Sequence, residues 1–196
     1  MSGGSRKGFP FEREVAKILS LWYTNDERDD VLWRTNASGG RATIRRKAGK
    51  TLAGQHGDLT ATDPCAKPLT DRVLIEIKRG YKRWSLLDVM DKGKVTKPQT
   101  IEGWLTKAQE DRQAAEAEWF WIIAKRDSRQ PVIIVERSFL DTAIAHYGDT
   151  PKPRMGFRMP GRMSRRRGRG ALYVYVLQFE PFLEWLSPEF FKREMV

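Results

Sequence analysis

The chain has 196 residues, is 40% hydrophobic and carries a formal net charge of +11, which suits one domain with a real core. Its longest apolar run, Trp119 to Ala124, is too short to span a bilayer. The single cysteine, Cys65, excludes an intrachain disulfide and a cysteine-rich zinc site. Residues 1–8 lack the apolar segment of a secretory signal. We therefore expect a reducing cytoplasm, without distinguishing a nucleoid-associated protein from a virus-encoded one.

The positive charge is concentrated in two segments that contain no acid. Residues 41–50 hold five Lys/Arg and residues 151–170 hold eight, so the rest of the chain is nearly neutral. Such patches suit a polyanion such as DNA. Neither patch alternates with large apolar residues as an interfacial membrane helix would. The sequence predicts a DNA partner and no membrane, with two solvated loops as the alternative, and it leaves a homodimer open.

The first half of the chain predicts one helix followed by three strands. Apolar residues recur at helical spacing between Phe9 and Tyr23, which indicates an amphipathic helix. A short strand at 31–35 and a long basic loop at 36–55 follow. Two strand-like runs, 57–62 and 72–78, come next. If these two runs pair as a hairpin, the residues at one end of each would meet.

The second half predicts a helix at 101–118, strands at 119–125 and 132–136, and a short helix at 138–147. Both strands are almost wholly apolar, as expected for strands covered on two faces. The predicted fold class is α/β, with a mixed β-sheet flanked by helices. The predicted organisation lists a core at 1–150, an Arg-rich basic loop at 151–170, and a C-terminal strand and helix at 171–196 packed on the core.

The candidate chemistry lies on the two strand-like runs at 57–62 and 72–78. Asp58 begins the first strand, and Glu76 and Lys78, two residues apart on the second, point to the same face of the sheet. Two carboxylates at such a point form an oxygen-ligand site for a hard divalent cation. Placing charges within a core-like strand is costly unless they are paired or bind a metal. The alternative is an edge strand with a solvated second face, where both would be ordinary surface charges.

The pattern Gly57-Asp58…Ile75-Glu76-Ile77-Lys78 resembles the signature of the PD-(D/E)XK nuclease superfamily, with Gly57 where proline often stands. The segment from Gly8 to Glu14 looks like the start of the Holliday-junction resolvases of that superfamily. The resemblance covers about residues 8–125 and implies a restriction-endonuclease-like core of αβββαβ order. It implies Glu12 as a further acid. Helical geometry places Glu12 and Glu14 at opposite edges of the apolar stripe and does not choose between them.

The resemblance also implies a mechanism. Mg²⁺, with Mn²⁺ as a substitute, would be held by Asp58, Glu76, the carbonyl of Ile77 and Glu12, and would lower the pKa of a bound water. Lys78 would orient the attacking water or stabilise the charged transition state. The expected activity is metal-dependent endonuclease cleavage of DNA, with junction-resolvase-like structure specificity. A sequence-specific restriction-type endonuclease and a non-catalytic nucleic-acid-binding protein are the alternatives.

Further candidates surround this site in sequence. The Arg34–Gly40 segment corresponds to an Arg…Gly/Ser-rich loop that resolvases carry near the metal. His56 and Gln109 are candidate site residues, each with an ordinary polar role as the alternative. Trp84, in the basic stretch after Lys78, is a candidate for stacking on an unpaired base. The candidate DNA-contacting residues are Arg34, Ser38, Arg41, Arg45, Arg46, Lys47, Arg79, Lys82, Trp84, Arg165, Arg166, Arg167 and Arg169.

Overall fold

The computed structural model describes residues 5–35, 57–80, 100–149, 154–159 and 172–192. The helices are α1 (Ser5–Tyr23), α2 (Lys67–Arg72), α3 (Thr100–Ala114), α4 (Arg137–Tyr147), α5 (Phe179–Trp185) and α6 (Glu189–Lys192). The strands are β1 (Leu32–Arg34), β2 (Leu59–Ala61), β3 (Val73–Arg79), β4 (Trp119–Lys125), β5 (Val132–Glu136), β6 (Arg154–Met159) and β7 (Leu172–Gln178). Within these ranges, no helix is long and apolar enough to cross a membrane.

Five strands form the central sheet in the order β3-β4-β5-β7-β6. Strands β3 and β4 are parallel, while the β4–β5, β5–β7 and β7–β6 pairs are antiparallel. Strands β1 and β2 form a separate two-stranded antiparallel sheet. Helices cover the central sheet, so the predicted α/β class with a mixed sheet flanked by helices is confirmed.

The central sheet is covered on both faces, which explains the apolar character of β3 and β4. On one face, Trp121 packs edge-on against Phe139, Phe182 and Phe191 at ring-centroid distances of 5.4–5.7 Å. The other face carries a second buried cluster that includes residues of α3, β3 and β4. Because side chains alternate along a strand, Ile75 and Ile77 face the first cluster and Glu76 faces the side of α3.

The two motif strands do not pair as the hairpin that the sequence left open. Strand β2 pairs with β1, with Leu59 opposite Arg34 and Ala61 opposite Leu32. The sequence could not show this partner because three-residue strands carry too little pattern to specify pairing. Asp58, just before β2, nevertheless bonds directly to β3 through its backbone and side chain. The motif residues therefore meet without a regular hairpin.

Part of the predicted basic loop at 151–170 is a strand. Residues 154–159 form β6 and pair along their whole length with β7, from Arg154 opposite Leu177 to Met159 opposite Leu172. The Pro/Gly/Arg composition suggested a loop, but Gly156 has a structural role. A Cβ at Gly156 would lie 2.5 Å from the ring of Tyr175, so glycine leaves room for that ring on the neighbouring strand. Residues 160–171 connect β6 to β7 and lie outside the described residues.

Candidate active site

Gly57 sets the backbone that delivers Asp58 to the sheet. Its φ is +81°, in the left-handed region that glycine adopts without a steric cost. A Cβ at this position would lie 2.7 Å from the carbonyl oxygen of Ile75. Proline is fixed near a φ of −65° and cannot adopt this conformation. The departure from the superfamily's usual proline therefore has a local structural reason.

Asp58 links the two sheets through three hydrogen bonds. Its backbone N–H donates to the carbonyl of Ile75 at 2.7 Å, and its Oδ2 accepts from the backbone N–H of Ile77 at 2.7 Å. Its carbonyl accepts from the N–H of Thr35 at 2.9 Å. These bonds fix the carboxylate beside the middle of β3, next to the Glu76 position.

Glu76 and Lys78 meet Asp58 at that place. Glu76 is only 3% exposed, although it carries a carboxylate. Its Oε2 accepts a hydrogen bond from Lys78 Nζ, which lies 3.9 Å from Asp58 Oδ2. The three residues that define the sequence motif thus form one compact, largely buried group with Lys78 between the two carboxylates.

The two carboxylates have opposite electrostatic environments. Burial, reinforced by the negative charge of Glu76, raises the pKa of Asp58 to about 6, against the opposing effects of Lys78 and the Ile77 N–H. Burial would also raise the pKa of Glu76, but the ammonium groups of Lys78 and Lys107 outweigh it and hold that pKa below its usual value. The surroundings therefore disfavour the ionised form of Asp58 and favour the ionised form of Glu76.

The structure separates the two acids of α1 that the sequence left equivalent. Glu12 Oε2 accepts from Arg34 Nε at 2.9 Å in a mostly buried pair, and its charge contributes to the raised pKa of Asp58. Glu14 Oε1 instead accepts from Lys125 Nζ at 3.0 Å and is half exposed. Glu12 therefore lies on the Asp58 side of the helix, together with Arg34.

Two aromatic residues of α1, Phe9 and Phe11, lie against arginine side chains. The Arg34 guanidinium lies 4.0 Å from the ring centroid of Phe9, an exposed aromatic that the sequence analysis did not single out. The predicted DNA contact Arg79 lies at the end of β3, 5.6 Å from the ring of Phe11 and 3.6 Å from Asp127 Oδ1. A guanidinium over the face of an aromatic ring is attracted to it, so each arginine is held against its ring.

Lys107 of α3 is the site residue that sequence reasoning missed. Its Nζ donates to Glu76 Oε1 at 3.0 Å and also bonds to Asp111, one turn further along the helix. Burial would lower the pKa of Lys107, but Glu76 and Asp111 raise it instead. The predicted candidate on this helix, Gln109, is half buried and lies two residues on, about 200° around the helix from Lys107. The only available signal was the Lys107/Asp111 spacing of four, which is common on solvated helices.

Several predicted site residues lie outside the described residues, so their place relative to the carboxylates stays a prediction. They are Ser38, Arg41, Arg45, Arg46, Lys47, His56, Lys82, Trp84, Arg165, Arg166, Arg167 and Arg169.

The described donors fit a hard divalent cation that keeps much of its water. Asp58 and Glu76 offer carboxylate oxygens whose mutual repulsion is part of the raised pKa of Asp58, and a nearby cation would relieve that repulsion. In the part of the chain that the structure describes, no cluster brings together three or more Asp, Glu, His or Cys side chains for a metal. Mg²⁺ commonly binds through one or two carboxylates plus water and substrate phosphate, so two suffice.

An aspartate before one strand and a Glu-x-Lys on the next, mounted on a mixed sheet between helices, define a nuclease of the PD-(D/E)XK superfamily. Residues 3–189 match the family described as "Phage putative PDDEXK endonuclease", and the chain belongs to that family. The resemblance to the superfamily is thereby confirmed. Nucleases of this kind generally use divalent metals, and the family implies DNA as substrate. No curated protein and no solved structure matches the chain.

Proposed function

We propose that this protein is a Mg²⁺-dependent endonuclease that hydrolyses DNA phosphodiester bonds, with Asp58, Glu76 and Lys78 at its catalytic centre. The observation that carries the proposal is the meeting of these three side chains. Lys78 Nζ bonds to Glu76 and lies 3.9 Å from Asp58 Oδ2, in a place where both carboxylates are largely buried. An ordinary surface pair would stay solvated, whereas burying these charges costs free energy unless they are paired or bind a metal.

In the proposed mechanism, Asp58 and Glu76 would hold the cation together with the carbonyl of Ile77. Glu12 would become a further ligand only by leaving its pair with Arg34. The cation, when bound, supplies an activated water and neutralises charge on the phosphate. Asp58 is held for this role by the N–H groups and carbonyls of the neighbouring strands. Lys78 is placed to orient the attacking water and to stabilise the charge that develops on the phosphate. The water oxygen bonds to phosphorus and gives up a proton to solvent, the bond to the leaving sugar oxygen breaks, and that oxygen takes a proton from solvent.

We propose a structure-directed substrate preference, of which a four-way junction is the first candidate. The support is the resolvase-like segment from Gly8 to Glu14, whose Glu12 contacts Arg34 in the structure. The basic segments add support, because Lys and Arg on phosphates position DNA without reading its sequence. A homodimer would bring two active sites to two DNA strands. We place its action in a reducing cytoplasm. A restriction-type enzyme would instead cut one duplex sequence.

The test uses labelled four-way junction, duplex and single-stranded DNA, each incubated with Mg²⁺, with Mn²⁺ and with EDTA. Wild-type protein should cut only with metal, and the junction fastest. Asp58→Asn and Glu76→Gln should each abolish cleavage while DNA binding persists, because the basic contacts remain. Asp141→Asn is the matched control, since Asp141 is an exposed acid paired with Arg137 on α4.

Each failure of this test has a distinct meaning. Cleavage that persists in EDTA would refute the metal dependence. A near wild-type rate in Asp58→Asn at saturating Mg²⁺ would show that the assigned centre is wrong. Binding of all three DNAs without any cleavage would favour a non-catalytic DNA-binding protein, and a single duplex cut site would favour the restriction-type reading.

A further inference from the structure

Both oxygens of the Glu76 carboxylate are engaged by ammonium groups. Oε2 accepts from Lys78 and Oε1 accepts from Lys107 at 3.0 Å. The first lysine is on the same strand as Glu76, and the second reaches in from α3. One buried carboxylate therefore has two cationic partners, and each lysine also lies close to a second acid, Asp58 for Lys78 and Asp111 for Lys107.

The two lysines differ in their freedom to move. The Lys78 side chain is 14% exposed and is enclosed between Asp58 and Glu76. The Lys107 side chain is 57% exposed, so its ammonium meets the buried carboxylate from the solvent side. Its backbone is fixed, because Ile101, Trp104 and Leu105 of the same helix are buried in the second core cluster. Lys107 can therefore leave Glu76 by rotation of its own side chain.

Asp111 determines where Lys107 goes when it leaves. The ammonium already bonds to Asp111, four residues further along α3. This second carboxylate keeps the ammonium at the edge of the site rather than releasing it to bulk solvent. A lysine in that place is a compact, mobile donor of the kind that binds phosphate as a point charge.

We propose that Lys107 is a second catalytic lysine, which occupies Glu76 Oε1 until a divalent cation takes that oxygen and then contacts the phosphate of bound DNA. The inference rests on the proposed function. Its physical basis is competition, because an ammonium and a metal ion repel each other when both lie against one carboxylate oxygen. The ordinary alternative is a structural lysine that only neutralises Glu76 and holds its side chain in place.

The experiment compares Lys107→Gln with Lys17→Gln. Lys17 is a matched control because it is 61% exposed and also pairs with an acid, Asp29, on another part of the surface. Calorimetric titration of each protein with Mg²⁺ in the absence of DNA measures the competition. Lys107→Gln should bind Mg²⁺ at least roughly threefold more tightly than wild type, because the competing ammonium is gone. Lys17→Gln should bind Mg²⁺ as wild type does.

Single-turnover cleavage of the best DNA substrate at saturating Mg²⁺ measures the phosphate contact. Lys107→Gln should be slower by roughly one to two orders of magnitude, the lower part of the range for losing one transition-state donor. Lys107→Arg keeps the charge and should recover part of the rate, while Lys17→Gln should stay within about twofold of wild type.

Two results would overturn the inference. Weaker or unchanged Mg²⁺ binding in Lys107→Gln would mean that Lys107 only supports Glu76. A cleavage rate within about twofold of wild type would remove it from the reaction. If wild-type protein cuts none of the DNAs, the proposed function fails, while the Mg²⁺ titration still decides whether Lys107 and the cation compete.

Discussion

At the scale of single residues, the two carboxylates of the site affect folding in opposite directions. The pKa of Asp58 is raised from 3.8 to about 6, so the folded state resists its ionisation. The pKa of Glu76 is lowered by its two lysine partners, so the folded state favours its ionisation. A site in which burial and the neighbouring Glu76 charge disfavour the ionised form of one acid suits a cation, which would stabilise that form.

Asp58→Asn should therefore stabilise the protein at neutral pH. An acid whose folded pKa is raised imposes a cost that is absent below its unfolded value near 4 and complete above about 6. The gain on substitution should reach at most about 3 kcal/mol above pH 6 and vanish as the pH falls towards 4. Urea unfolding of both proteins between pH 4 and pH 8 measures it. A variant that is less stable than wild type at pH 7.5 would refute the cost of burying an ionised Asp58 beside Glu76.

Glu76→Gln should have the opposite effect on stability. An acid whose folded pKa is lowered contributes stability above its unfolded value, near 4.5, and loses it as the pH falls through the folded pKa. The substitution leaves Lys78 and Lys107 without their shared carboxylate, so the free energy of unfolding at pH 7.5 should fall. The same urea series tests this, and equal shifts in the two variants would contradict the assigned environments.

A comparison of two variants tests which acid of α1, Glu12 or Glu14, belongs to the site. Glu12→Gln should slow cleavage by roughly tenfold or more, the scale for losing a group that supports a metal site, since Glu12 contacts Arg34 and its charge is felt by Asp58. Glu14→Gln breaks only a surface contact with Lys125, so its rate should be unchanged. Equal full activity of the two variants would remove α1 from the site.

At the scale of elements, the sequence predicted those parts that long patterns specify. The apolar run of β4 and the apolar positions of β3 indicated buried strands, and the structure shows that both strands are largely buried. The expectation that Glu76 and Lys78 lie on the same face agrees with their hydrogen bond, whereas their catalytic role stays a prediction. The pairing of β2 with β1 and the strand β6 were missed, because three-residue strands and a Gly/Arg-rich strand carry weak periodicity. Lys107 was missed for a different reason. Its contact with Glu76 crosses from α3 to β3, and no local pattern encodes such a contact.

Gly57→Ala tests how closely the Asp58 element is tied to β3. The new Cβ would lie 2.7 Å from the Ile75 carbonyl at a φ of +81°, so the backbone must shift and move Asp58 with it. We expect a loss of about 1–3 kcal/mol in the free energy of unfolding and a marked loss of cleavage. Gly103→Ala on α3 is the control, because a Cβ there meets nothing within 4 Å and should stabilise the helix by up to about 1 kcal/mol.

A Gly57→Ala variant with wild-type stability and rate would show that the turn before Asp58 tolerates the shift. Asp58 would then be positioned mainly by its own hydrogen bonds to Ile75 and Ile77. Loss of stability with full activity would place the strain away from the carboxylate. Only a loss of both stability and cleavage supports the view that the turn at Gly57 holds Asp58, the proposed metal ligand, beside β3.

At the scale of the whole molecule, the sheet order separates the motif strand β3 from β6, the strand that precedes residues 160–171. Strand β3 ends on the same side of the sheet as β7. The registers align Lys78 with Ala124, Ala124 with Val132, and Val132 with Gln178. Met159 and Leu172, which flank residues 160–171, lie at the opposite end of the strands. Strands β3 and β6 are four strand spacings apart, about 19 Å at the usual spacing. That span corresponds to roughly five or six base pairs of DNA.

The last prediction concerns Arg165, Arg166, Arg167 and Arg169, which should add DNA affinity without taking part in the chemistry. Replacing Arg165, Arg166, Arg167 and Arg169 with serine should reduce the salt slope of log K by roughly 2 to 4, since each lost phosphate contact removes about 0.9. Single-turnover cleavage at saturating enzyme should barely change, because the carboxylates are untouched. The matched comparison is a quadruple serine variant of Arg41, Arg45, Arg46 and Lys47. An unchanged slope in the first variant, with a reduced slope in the second, would contradict the prediction and move the DNA-binding surface to residues 41–50.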